Sequence, residues 1–133
     1  MHVSAAVTSD RTALIEHGLY WGAVATEDEG HYLCAILNSP ALTDLVRPLM
    51  SYGKDERHID KALWRLPIPV YDENIPEHHQ LAQLGRACAA EIAALPLDET
   101  ASFVTLRRRA REALAASTVA LEANELAIDL LSI

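Results

Sequence analysis

The sequence predicts an α+β fold that is mostly helical, with its strands confined to the N-terminus. Three observations carry this. Two segments rich in strand formers flank a turn-like Ser9-Asp10-Arg11-Thr12 before residue 25. From Thr26 onward, apolar residues recur at spacings of three and four behind residues that cap helices. Between the helical stretches, Leu66-Pro67-Ile68-Pro69 imposes a stiff extended strap, because proline fixes φ and pushes its predecessor out of the helical region. The 133 residues fit one domain with one core. It divides into a β-hairpin over 1–25, helices with a basic turn and a proline strap over 26–72, and a C-terminal helical bundle over 73–133.

His2 to Thr8 and Ala13 to Val24 pair most economically as the hairpin, the second carrying Leu14, Ile15, Leu19, Tyr20, Trp21 and Val24. Gly18 and Gly22 within it suggest a bulge or a close backbone approach. Thr26-Glu27-Asp28-Glu29 fits a capping box for a helix reaching about Asn38, with Tyr32, Leu33, Ile36 and Leu37 on its apolar face. Ser39-Pro40 restarts a helix whose buried face is Leu42, Leu45, Val46 and Leu49, and Pro48 kinks or stops it. Gly53 makes a turn. Asp55 caps a short basic helix on which Ile59, Leu63 and Leu66 share a face, and Trp64 or Leu63 faces inward as the strap's anchor. Truncating Trp64 would then cost roughly 3–5 kcal/mol.

Asn74 caps and Pro76 opens the next helix, with a stripe of Leu81, Leu84, Cys88, Ile92 and Leu95. Gly85 within that stripe suggests close helix packing, or is simply tolerated at a cost of ~1 kcal/mol. Pro96 ends the helix. Thr100 begins the last helical region, with Phe103, Leu106, Ala110 and Leu114 on one face. Beyond it, Val119, Leu126 and Leu130 compete with Leu121, Ile128 and Leu131 for the buried side. One straight helix would expose one set, so a break is expected near Ala116 to Thr118, with Ser117 or Thr118 capping a terminal helix.

Half the residues are apolar and the formal net charge is −8, so the chain is globular and no general nucleic-acid binder. The charge is uneven. Residues 45–71 hold five basic and three acidic residues and are the only net basic stretch; 1–44 and 72–100 each hold one basic and six acidic residues, and 101–133 balances four against four. No apolar run approaches the ~20 residues of a membrane span, and no basic-then-apolar leader is visible, so a cytoplasmic protein without membrane contact is expected. Cys34 and Cys88 show no framework spacing and read as free, buried thiols.

The chain has no dinucleotide or P-loop glycine pattern and no nucleophile elbow. His31 and Cys34 have a chelating spacing without two further ligands, so packing is the simpler reading, and no metal or other cofactor is expected. His78-His79 falls in a first helical turn and reads as solvated. Arg107-Arg108-Arg109 with Arg111 is a cluster of the kind that can bind phosphate, but its residues fan around a helix with Glu112 close by, so an ordinary solvated face is the preferred reading.

HYLCAILNSPALTDLV, followed by GKDERHIDKALWRLPIPVYD, resembles the C-terminal target-recognition side of N-6 adenine DNA methyltransferases of restriction–modification systems. Four parts match in order: Leu37-Asn38-Ser39, a turn at Gly53, the basic Arg57 to Lys61, and the Leu66 to Pro69 strap. The helix with His78 to Gly85 is similar to the family's tail. The resemblance covers roughly residues 17 to 95; the strap alone is a weak signal and the ordered combination a moderately specific one. It implies DNA engagement or a scaffold packed on the methyltransferase catalytic domain or subunit. The catalytic half is missing: Asn38, Asn74 and Asn124 are the only asparagines, none opens an Asn-Pro-Pro-Tyr motif, and no loop for S-adenosylmethionine is present. No methyl transfer and no cofactor are therefore expected.

Three readings follow. In the first, the chain contacts DNA through Arg47, Tyr52, Lys54, Arg57, His58, Lys61 and Arg65, with cations on the backbone and Tyr52 on a base or sugar. Asp55, Glu56 and Asp60 could instead pair with those cations in a structural network. In the second, the C-terminal helices pack on another subunit or form a homodimer. In the third, His58 with Asp55 or Asp60 serves a small enzyme of unrecognised type.

Overall fold

The computed structural model describes residues 3–15, 20–49 and 65–132. Among these lie five α-helices: α1 (Glu27–Leu37), α2 (Pro40–Val46), α3 (Pro76–Ala93), α4 (Phe103–Ala115) and α5 (Thr118–Leu131), with a 3-10 turn at Arg47–Leu49.

Side chains set the helix ends. Thr26 Oγ1 accepts from the Glu29 amide at 3.1 Å, and the Glu29 carboxylate accepts from the Ala25 amide at 2.9 Å. This is the expected capping box with its return bond one residue early. Ser39 Oγ donates to the Ile36 carbonyl at 2.6 Å and accepts from the Leu42 amide at 3.2 Å. One hydroxyl thus ends α1 and starts α2. Ser117 Oγ accepts from the Ala120 amide at 3.2 Å, so the chain breaks between α4 and α5 where the competing apolar faces require it.

Two starts differ from expectation. Asn74 does not cap α3: its amide donates to Asp72 Oδ1 at 2.9 Å, and Ile75 occupies the cap position without a side-chain bond. Pro76 tolerates this because it has no N–H to satisfy. The next helix starts at Phe103 behind Ser102, because Thr100 is held by Asp98, whose Oδ1 accepts from its amide at 2.9 Å and its hydroxyl at 2.6 Å.

The core forms where α1 packs along α3 and α3 along α5, with α2 closing one side. Tyr32, Ile36, Leu42, Val46 and Leu81 are fully buried. A large apolar side chain buried in this way contributes about 1.5–3 kcal/mol. Gly85 permits the closest approach: a Cβ there would strike the His31 carbonyl oxygen and lie 3.1 Å from Ala35 Cβ. The buried face of α5 is Ala123, Ala127 and Leu131, flanked by the half-buried Leu126 and Leu130, while Leu121 is exposed. Small residues there bring the α5 backbone close to its neighbours.

The N-terminal hairpin is not formed, and the α+β class gives way to an all-helical one: among the described residues there is no strand. The first segment lies on the corner between α1 and α2 instead. Asn38 Oδ1 accepts from the Ala5 amide at 2.8 Å, and Asn38 Nδ2 donates to the Ala5 carbonyl at 2.8 Å. Val3 is buried, with its amide 3.5 Å from Thr43 Oγ1. Val7 and Val24 meet over Gly30, where a Cβ would come within 2.9 Å and 3.4 Å of their methyls. Backbone groups that a ladder would use are therefore bonded to side chains at helix ends. The second segment keeps its large side chains outside: Leu14 is 99% and Trp21 74% exposed, and Tyr20 is exposed too. A Cβ at Gly22 would meet nothing within 4 Å, so that glycine marks no close approach. Gly18, the turn at Gly53, the basic helix from Asp55 and the Trp64 anchor lie outside the described residues.

Candidate nucleic-acid interface

Two of the seven sequence-predicted contact residues, Arg47 and Arg65, are described; Tyr52, Lys54, Arg57, His58 and Lys61 lie outside the described residues. Arg47 stands on the 3-10 turn directly after buried Val46. Its guanidinium donates to Asp44 Oδ1 at 3.3 Å with both side chains exposed. Such a surface pair is weak, so a phosphate could compete for the arginine. Arg65 is exposed at the head of the strap.

The strap is anchored but not uniformly extended. The Ile68 amide donates to the Leu66 carbonyl at 2.8 Å, closing a tight turn around Pro67. Leu66 and Ile68 pack against the core, while Val70 stands out in solvent. Tyr32 reaches the strap from α1 and donates its hydroxyl to the Pro69 carbonyl at 2.9 Å. Burial pushes the Tyr32 phenol up to about 12, which keeps it a donor.

Three rings hold the strap's far end. Tyr32 lies 5.2 Å from Tyr71 and 5.0 Å from His78 between centroids, and Tyr71 lies 6.3 Å from His78. The expectation of a solvated His78 is corrected: it is 3% exposed, and its Nδ1 accepts from the Asp72 amide at 3.0 Å. That bond requires the neutral ring with its proton on Nε2. His79, one position on, is exposed. The missed signal was periodicity. His78 falls three and seven residues before Leu81 and Gly85, on the same buried face of α3.

Arg86 of α3 clasps the start of α1, donating to Asp28 Oδ1 at 2.7 Å with Glu27 Oε2 at 3.9 Å. The Arg86 hydrogen bond holds the Asp28 carboxyl below the usual range. Cys34 and Cys88 are free and half-buried, and burial pushes Cys34 up to about 11 and Cys88 upward, so neither is an activated nucleophile. Among the described residues, no three His, Cys, Asp or Glu side chains come together to hold a metal, and no helix is long and apolar enough to cross a membrane. Compared with known protein families, curated proteins and solved structures, the chain matches none.

Proposed function

We propose that this chain is the non-catalytic target-recognition and scaffold region of an N-6 adenine DNA methyltransferase or restriction–modification system, acting in the cytoplasm beside a methyltransferase catalytic domain or subunit. Arg47, Lys54, Arg57, Lys61 and Arg65 contact the phosphate backbone, with Tyr52 and His58 among them. The observation that carries the reading is the bond from Tyr32 to Pro69. It joins the two stretches that resemble the methyltransferases, the HYLCAILNS helix and the Leu-Pro-Ile-Pro strap, and so holds the strap from which the basic segment departs. The chain transfers no methyl group and takes no cofactor, since the Asn-Pro-Pro-Tyr motif and the cofactor loop are absent from its sequence.

The test is an anisotropy titration with duplex DNA at low salt, comparing the wild type with Arg57→Ala/Lys61→Ala/Arg65→Ala. Weak, steeply salt-dependent binding that the triple variant loses supports the reading. Equal binding by both proteins places the contact elsewhere. Calorimetry with S-adenosylmethionine should show no binding; micromolar affinity would refute the non-catalytic assignment.

Exposed apolar side chains support a second reading, a protein-interaction module without DNA contact. Leu14, Tyr20 and Trp21 stand in solvent before α1, and Leu121 does so on α5. The first group suits a catalytic subunit, and Leu121 suits a homodimer through the C-terminal helices. Sedimentation of wild type and Leu121→Lys decides the latter: a concentration-dependent dimer that the lysine abolishes is expected, and a monomer throughout removes it.

A further inference from the structure

α4 carries four arginines, Arg107, Arg108, Arg109 and Arg111, and one acid, Glu112, on a chain of net charge −8. At 3.6 residues per turn, Arg107, Arg108 and Arg111 fall within one sector of the helix, and Arg109 falls on the far side. Val104, 73% exposed, lies in the same sector, and exposed Phe103 borders it with its ring 5.3 Å beneath the Arg107 guanidinium. Like charges at spacings of three and four destabilise a helix, and Glu112 is the one acid on α4 to offset them. Among the described residues, Arg107 and Arg111 enter no ion pair, and Arg108 reaches only Glu112 at 3.9 Å. α4 buries none of its residues fully; Leu106, Ala110 and Leu114 are half-buried on the side that runs up to Arg107, and Arg111 is half-buried within the arginine sector.

We infer that this face of α4 is a second phosphate-binding surface, and that it docks on the backbone of duplex DNA. Guanidinium forks match phosphate oxygens in pairs, and all four cations here are arginine. A lipid surface fits less well. An interfacial helix inserts a broad apolar face, whereas the apolar side of α4 is turned toward its own bundle and only Phe103 and Val104 remain outside. The surface is separate in sequence from the central basic segment, so it stands or falls independently of the contacts proposed there.

The test compares wild type, Arg107→Gln/Arg108→Gln/Arg111→Gln and the central triple variant in the same titration with short duplex DNA. Glutamine keeps helix propensity, so circular dichroism should be unchanged. The glutamine variant should lose affinity at least about tenfold at low salt. Its log–log salt slope should fall by about two to three, at ~0.9 per phosphate contact. Loss in this variant with the central variant unimpaired upholds α4 and removes the central contacts. The reverse pattern removes α4 and leaves the central contacts standing. A wild type that binds no duplex DNA, or that binds phosphatidylserine vesicles instead, overturns the inference.

Discussion

Asn38 faces Ala5 as one amide faces another, with two hydrogen bonds of 2.8 Å closing a ring between side chain and backbone. The asparagine does for the N-terminal segment what a neighbouring strand would do. It satisfies the amide donor and the carbonyl acceptor of half-buried Ala5.

Asn38→Asp should therefore destabilise by about 1–3 kcal/mol at neutral pH, because a carboxylate then faces the Ala5 carbonyl and the donor is lost. Protonating that carboxylate restores a donor, so the gap to wild type should narrow as pH falls through the acid range. Urea midpoints for both proteins at neutral and acid pH check this. Matching midpoints at neutral pH would mean that the ring contributes nothing.

Gly85→Ala opposes two effects. Alanine favours a helix by about 1 kcal/mol over glycine. Its Cβ, however, would meet the His31 carbonyl, which is backbone and cannot rotate aside. Forcing atoms into a packed core costs about 1–3 kcal/mol, so a net loss is expected. Thermal unfolding decides the sign, and a stabilised variant would show that α1 and α3 can separate cheaply.

His78→Ala should destabilise more than His78→Asn. Alanine leaves the Asp72 amide without its acceptor and removes the ring packed beside Tyr32 and Tyr71, whereas an asparagine carboxamide can place an oxygen near the position of Nδ1. A loss of about 2 kcal/mol or more is expected for alanine, read from denaturant curves. Equal losses would show that ring packing, and not the hydrogen bond, secures the strap.

Raising the pH should weaken the fold in a defined window. Half-buried Cys34 and buried Tyr32 are neutral acids in the fold, raised to about 11 and about 12. Once the pH passes their unfolded values of 9.0 and 10.0, the unfolded chain loses protons that the folded chain keeps. Stability is then full below pH 9.0 and falls through the two folded values. Urea midpoints against pH should decline over that range, less steeply at first in Cys34→Ala. A flat profile to pH 11 would contradict the burial of both groups.

The helices were legible because their ends are written in short local codes. Thr26 with Glu29, Ser39 before Pro40, and Ser117 at the change of face each satisfy backbone groups within four residues. The N-terminal segments misled because Leu14, Tyr20, Trp21 and Val24 favour strands, yet a strand also needs a partner that composition cannot supply. The α5 face was misjudged by weighing leucine and isoleucine over alanine, when Ala123 and Ala127 are what allow close packing. At the candidate site, the strap was readable from its prolines, but its anchors were not. Tyr32 and Pro69 meet across 37 residues, and no local pattern announces that pairing.

The clasp between Tyr32 and Pro69 also sets where the chain rejoins the frame. Val46 on one side and Leu66 on the other are held by the core, so the chain between them closes a circuit whose ends are already fixed. Leu66 to Pro69 thus enters the frame at a point set by α1 and the core.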